Sequence, residues 1–234
     1  MDDKRLTIFS QTRGNRSYVL RQGLITVLQT RAIKEGLPIW GLPYGKEIIK
    51  LDEIFGRTNA KILEIGFGMG HTIAEMARRQ PDLDYLGIEV YSPGVGNLLH
   101  LIKQEGLTNI RIIQYDAVQV LESMLQDEAL TGVHIYFPDP WPKRRHHKRR
   151  LIQAPFIQLL VQKVKKSGYI HLATDWKEYA YQMLEVLTAE KTLVNKFTAF
   201  APRPAERPLT KFELRGQRLG HSSWDLIFEK KPDV

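Results

Sequence analysis

Glu64, Glu89 and Asp116 stand at the C-terminal ends of three successive short apolar runs, in "LEIGFGMGH", "GIEV" and "IIQYDA". Gly66, Gly68 and Gly70 follow the first acid, and alternating glycines permit positive φ and a close approach of a ligand to the backbone. The G-x-G-x-G spacing departs from the G-x-G-x-x-G that cradles a dinucleotide pyrophosphate, and Glu64, two residues ahead, would repel a diphosphate. A cation suits the pair better. S-adenosylmethionine carries a sulfonium and an α-ammonium group and fits this chemistry; a nicotinamide dinucleotide is the alternative for the stretch taken alone. Glu89, 19 residues after Gly70, can accept both hydroxyls of a ribose, which either nucleotide provides. Asp116 can accept from an adenine amino group, cap the helix that begins at Ala117 in "AVQVLESML", or do both.

A second set of reactive types lies in "FPDPWPKRRHHKRR", residues 137–150. Pro138 and Pro140 fix φ and lack an N–H, so they stiffen the loop around Asp139 and withdraw donors that could neutralise it. That predicts an ionised Asp139 presented near a methyl donor. Trp141 offers a flat surface for a base, Lys143 a point charge, and "RRHHKRR" a track for phosphates. The plainer alternative is a proline-stiffened loop with a solvated charge run. With no cysteine in the chain, methylation at pyrimidine C5 is excluded. Exocyclic amines are usually served by an Asn/Asp-Pro-Pro-aromatic loop, which "FPDPWP" is not. Guanine N7 attacks through its own lone pair without deprotonation, so orientation and electrostatics could carry its catalysis. Asp175 closes a further run in "HLATDW", as a ligand contact or a helix cap. Thr210 and Glu213, three apart, could share one helix face and read the guanine N1–H and N2 amino group, or form a capping box; the residues alone favour neither.

These side chains need a scaffold that brings strand ends together. Runs of strand type are "KILEIG", "DYLGIEV", "NIRIIQY", "GVHIYF", "GYIHLAT", "VNKFTAF" and "SWDLIFE". Helices are expected over about 71–80, 93–105, 117–126, 154–166, 176–190 and 210–219. The first five strands are apolar and β-branched, as strands covered on both faces are. The expectation is an α/β fold: a doubly wound, Rossmann-like seven-stranded sheet, mostly parallel, with an antiparallel edge strand. Ligands in such sheets bind beyond the carboxyl ends of the strands. Residues 1–50 read as a basic N-terminal extension packing on or near the core, and 51–234 as the α/β domain that carries the site. Within 1–50, residues 17–34 and the stretch "EGLPIWGLPYG" read as a helix or loop arm.

The formal charge of +8 is concentrated: residues 1–34 carry +5 and residues 143–150 carry +6, leaving the rest at −3. Two short basic segments favour a polyanionic partner. The absence of cysteine also excludes disulfides, thiolate zinc and iron–sulfur clusters, and the histidines show no H-x-x-x-H pair, so no metal is expected. No apolar run is long enough to span a bilayer, and the first residues lack a secretory h-region, so the expected location is cytoplasmic.

Three acids at successive strand ends behind a glycine turn resemble class I S-adenosylmethionine-dependent methyltransferases. With "LEIGFGMG", "GIEVYSPGV", "FPDPWPKRRHHKRRL", "ATDW" and "RPLTKFELRGQRLGHSSWDL", about residues 60–229 resemble the bacterial tRNA (guanine-N7-)-methyltransferases. The resemblance implies methyl transfer from S-adenosylmethionine to N7 of guanine 46 in the tRNA variable loop. It implies that Glu64, Gly66, Gly68, Gly70, Glu89, Asp116, Ala117 and Asp139 hold the cofactor, with Asp139 also catalytic. Lys143, Asp175, Thr210 and Glu213 would contact the substrate, and Arg145, His146, His147, Lys148, Arg149 and Arg150 the RNA. No obligate protein partner is implied, in a monomer or homodimer. The family's arm usually has a basic residue after the glycine of "R-x-G", where this chain has Leu24. Two further readings remain open: a non-catalytic RNA-binding protein on the same fold, which has no need of the three acids, and a transferase acting on a small cation, which the basic run would repel.

Overall fold

The computed structural model describes residues 17–18, 24–210, 213 and 222–232. Strands β1 (Ala60–Ile65), β2 (Leu83–Ile88), β3 (Ile110–Ile113), β4 (Leu130–Tyr136), β5 (Val164–Thr174), β6 (Leu193–Asn195) and β7 (Trp224–Lys230) form one sheet in the order β3-β2-β1-β4-β5-β7-β6. β1 pairs in parallel with both β2 and β4, so the strand order reverses at its carboxyl end, where ligands of such sheets bind. β7 is antiparallel to β5 and to β6, slotting in beside the edge.

Helices α1 (Val27–Trp40), α2 (Leu51–Phe55), α3 (His71–Arg79), α4 (Ser92–Glu105), α5 (Ala117–Ser123), α6 (Ala154–Lys163) and α7 (Lys177–Ala189) complete the described elements. Because alternate strand residues point to opposite faces, the core divides in two. Leu63, Ile65 and Val133 pack with Leu121 of α5, Leu160 of α6 and Met183 of α7. Ile62 and Tyr85 pack with Ile73 of α3 and Leu98 of α4, and Ile33 and Leu37 of α1 lie against this second cluster.

Several element bounds differ from those expected, each for a local reason. α1 begins only at Val27, because Thr26 and Gln29 form a capping box there, and it continues through Gly36 and Pro38. α6 ends at Lys163 because Val164 pairs with Leu130 and joins β5, and the register shifts before Gly132 meets Tyr169. α5 ends at Ser123, and β6 stops at Asn195, whose side chain accepts from the Phe197 N–H (3.0 Å) and turns the chain. Of the helix expected over 210–219, only Thr210 and Glu213 fall within the described residues. The chain after α1 runs along the β3 side of the sheet: the Leu42 N–H donates to Ile112 O (2.7 Å), and Tyr44 stacks on Tyr115 with ring centroids 3.7 Å apart.

Candidate active site

The glycine turn leaves β1 with three left-handed residues, Gly66 (φ 76°), Gly68 (φ 55°) and Gly70 (φ 75°), a path that side chains rarely follow. The carboxylate of Glu89, just past β2, latches this turn. It accepts from the N–H groups of Gly68 (2.8 Å), Val90 (2.7 Å) and Tyr91 (3.0 Å). α4 backs the turn so closely that a Cβ on Gly94 would lie 2.0 Å from Gly68 O.

A cavity of about 210 Å³ opens beside it, with Gly66, Glu89, Ala117 and Asp139 in its wall. Ser17, Tyr18, Tyr115, Tyr136 and Phe137 are also in the wall. Glu64 lies buried behind this surface, and its Oε2 has no hydrogen-bond partner. Burial, with the nearby Glu89 charge, pushes the Glu64 carboxyl up to about 8. Burial likewise raises Glu89, against the pull of its three N–H donors. Two desolvated carboxyls side by side, one with an orphaned oxygen, favour a ligand that brings positive charge. The residues therefore fit the sulfonium and ammonium of S-adenosylmethionine. Asp116 caps α5 by accepting from the Gln119 N–H (3.2 Å), which leaves its other oxygen for a ligand.

The loop after β4 is held off relaxed geometry at both ends of Pro138–Asp139–Pro140, with Phe137 at φ 52° and Trp141 at φ 47°. Asp139 is exposed at the cavity rim. Residues Arg144–Arg149 form a 3-10 helix rather than an open loop. Lys143, Arg144, Arg145 and Lys148 are exposed on or beside it, and His146 and His147 half-buried. The Arg149 guanidinium lies 3.8 Å from the centre of the Trp141 ring, so that face of the indole is already stacked. Arg150 departs from the phosphate-tracking reading of the basic run. It is 3% exposed, donates to Pro140 O (2.8 Å), bonds Gln182 and Glu178 of α7, and lies over the Tyr179 ring. Its guanidinium anchors the run to the core instead of facing solvent.

Asp175 is exposed at the end of β5 and does not cap α7, whose N-cap has no side-chain bond. Thr210 and Glu213 do form the capping box: Thr210 N–H to Glu213 (2.9 Å) and Glu213 N–H to Thr210 Oγ1 (3.1 Å). Glu213 is also buried and doubly bonded by Arg207. Asp139 thus shares a cavity with Gly66, Glu89 and Ala117, whereas Glu64, Gly68, Gly70 and Asp116 of the expected cofactor set, and Lys143, Asp175, Thr210 and Glu213 of the substrate set, lie outside its wall.

A family profile described as "Putative methyltransferase" matches residues 58–226. A tRNA (guanine-N(7)-)-methyltransferase of Chromobacterium violaceum is 57% identical over 219 residues, 94% of this chain and 97% of that protein. One from Methylobacillus flagellatus is 55% identical over 217 residues, 92% of this chain and 91% of the relative. The chain belongs to the tRNA (guanine-N7-)-methyltransferase family. The fold of this family member is shared with the 16S rRNA methyltransferase KamB (TM-score 0.59, 12% identity, 80% of this chain and 95% of KamB). The antibiotic-resistance methyltransferase Kmr is also similar (TM-score 0.54, 12% identity, 78% and 92%). Among the family member's described residues, no helix is long and apolar enough to cross a membrane.

Three parts of the site leave no motif in the sequence. Ser17 and Tyr18 belong to the arm, and only the folded chain shows that they reach the cavity: Trp141 Nε1 donates to Ser17 O (3.2 Å) and Arg149 to Tyr18 O (3.4 Å). Tyr136 reads as an ordinary strand residue, and Phe137, though it opens the proline motif, carries no signal of its own. Arg207 stands six residues before Glu213, and nothing beyond its place between Pro204 and Pro208 signals its burial.

Proposed function

We propose that this chain transfers the methyl group of S-adenosylmethionine to N7 of a guanine in tRNA, the guanine at position 46 of the variable loop. One observation carries the reading: Asp139, on a strained loop, shares a cavity with Glu89 and Gly66 of the glycine turn, and an exposed basic 3-10 helix follows on the same chain segment. Relatives at 55–57% identity bearing the name of this activity support it.

Bound here, S-adenosylmethionine would supply an electrophilic methyl on a sulfonium. Glu89 would take a ribose hydroxyl on the Oε2 lone pair that its three backbone donors leave free, with Asp116 at the adenine amino group. Glu64 would answer the positive charge of the amino acid end. The purine N7 presents its own lone pair, so no residue needs to remove a proton. Asp139 orients the base and stabilises the charge that develops on the ring as N7 is alkylated. Phe137 and Tyr136 keep water from the wall beside it. Lys143, Asp175 and Thr210 would approach the base and its nucleotide from the rim, and the Arg144–Lys148 surface would take the phosphates. Glu213, expected from the sequence to read the guanine, is buried with both oxygens held by Arg207 and serves to fix Thr210 instead. The tRNA substrate supports a cytoplasmic location, and the family supports activity without a partner subunit, as monomer or homodimer.

Incubation with labelled S-adenosylmethionine and unmodified tRNA, then nucleoside analysis, tests this directly. The expected product is 7-methylguanosine, lost when guanine 46 is replaced. Methylation elsewhere, or none at all from protein that binds S-adenosylhomocysteine, overturns it.

A further inference from the structure

Arg207 is the bulkiest fully buried side chain among the described residues, at 1% exposed. A cation is seldom placed there unless it is paired on every side. Its guanidinium donates to both oxygens of Glu213 (2.7 and 2.6 Å) and to both oxygens of Asp225 on β7 (2.8 and 2.9 Å). Asp225 also bonds His171 Nε2 on β5 (2.7 Å), and His171 Nδ1 bonds the Tyr136 hydroxyl on β4 (3.0 Å). With Nε2–H donating to Asp225, Nδ1 is left to accept from the tyrosine, so one neutral tautomer satisfies both contacts. The guanidinium carbon lies 5.5 Å from the Tyr136 ring centre and 5.6 Å from that of Phe137. Burial alone would raise the Glu213 and Asp225 carboxyls, but the bonds from Arg207, with Thr210 on one and His171 on the other, outweigh it and lower both.

Two segments of the site therefore meet on one side chain. Phe137 begins the loop that presents Asp139, and Glu213 closes the capping box with Thr210. A buried ion network of this kind is weak evidence for stability, since apolar residues of similar volume often serve as well. What an apolar cluster could not supply is orientation: the bidentate fork fixes direction as well as distance.

We propose that Arg207 is a positioning residue of the transfer reaction, holding Thr210 and Glu213 in register with the Asp139 loop through its paired bonds to Glu213 and Asp225. This deepens the guanine-N7 reading and rests on it. Arg207 is buried outside the cavity wall, so it acts through Glu213, Phe137 and Tyr136. A lysine keeps the charge but cannot span both carboxylates.

The test is Arg207→Lys in the full chain, read by kcat, KM for tRNA, S-adenosylhomocysteine affinity and thermal melting. The expected result is a kcat lower by about 10- to 100-fold, as small misplacements of reacting groups produce. KM for tRNA and S-adenosylhomocysteine affinity stay within about threefold, and the melting transition is retained, because phosphate contacts dominate RNA affinity. A folded variant with kcat within about twofold of wild type overturns the proposal, as does a loss confined to KM. If Arg207→Lys does not fold, Asp225→Asn decides, since it leaves the Glu213 pair in place: the same kcat loss supports the proposal, and unchanged kcat overturns it. Unfolding of both variants overturns it too, making the network part of the core. Wild-type protein that forms no 7-methylguanosine sinks the parent reading and this one with it, whereas a normal wild-type product with an unaffected variant sinks only the positioning role.

Discussion

Asp139 is presented by a backbone that the surrounding structure holds in place. Left-handed φ at Phe137 and Trp141 costs about 1–3 kcal/mol at each residue, and such strain persists only when neighbours over-determine it. Here the Phe137 N–H donates to Ala173 O (2.8 Å), Arg150 to Pro140 O (2.8 Å) and Trp141 Nε1 to Ser17 O (3.2 Å). A carboxylate fixed this way can act on developing charge without reorganising. Asp139→Ala should accordingly lower kcat by about 100- to 1,000-fold, the range for removing one preorganised electrostatic group. tRNA binding should stay within a few-fold; near-normal turnover would remove Asp139 from the mechanism. Glu64 makes a different prediction. Its carboxyl titrates at about 8 against an ordinary 4.5, so its contribution to stability is complete below about pH 4.5 and fades as pH rises through 8. Glu64→Gln has nothing to ionise. The melting temperature of the ligand-free wild type should fall relative to this variant between about pH 5 and pH 8, and parallel curves would refute the raised carboxyl.

Elements position the glycine turn from two sides, β2 through Glu89 and α4 through Gly94. The 2.0 Å gap between a Gly94 Cβ and Gly68 O leaves no rotamer to relieve the clash, since neither atom can swing away about a side-chain bond. Gly94→Ala should cost about 1–3 kcal/mol, as overpacking does, and at about 2–4 °C per kcal/mol the loss shows in a melting curve. S-adenosylhomocysteine affinity should drop at least tenfold in the same variant, because the turn that moves is the one lining the cavity; unchanged affinity would show that α4 does not set its shape. The glycines, acids and prolines of this region are legible in the sequence because local backbone demands and strand-end position leave marks in composition. So is the alternation of strands and helices, since apolar runs of that length report double burial. What is not legible depends on pairings across long sequence separations. His134, His171 and Asp225 interrupt apolar strands, a hint of buried polar partners, yet nothing in the chain says that His171 meets Asp225, 54 residues away, or that both serve Arg207. Arg150 is unreadable for the same reason: within "RRHHKRR" it looks like its neighbours, and only the approach of α7 turns it inward.

At the scale of the whole molecule, charge is distributed unequally around the site. The acids Glu64 and Glu89 lie behind or in the cavity wall, while the cations of the 3-10 helix stand outside it. On the proposed reading this separation sets a cationic cofactor against the carboxyls and a polyanionic substrate against exposed cations, whose field salt screens over about 10 Å. It also allows the two affinities to be changed independently. Arg144, Arg145 and Lys148 are exposed, whereas Arg149 stacks on Trp141 and Arg150 is buried, so the informative variant replaces only the first three. Arg144→Ala, Arg145→Ala and Lys148→Ala together should weaken tRNA binding at low salt. The slope of log affinity against log salt should flatten by roughly 0.7–0.9 for each phosphate no longer neutralised, about 2–3 in all. S-adenosylhomocysteine affinity and the melting temperature should hold, since the three side chains belong neither to the cavity wall nor to the core. An unchanged salt slope would reduce the basic helix to a solvated surface and move RNA binding elsewhere on the molecule. A slope change accompanied by weaker cofactor binding would show that the two charge fields are coupled after all.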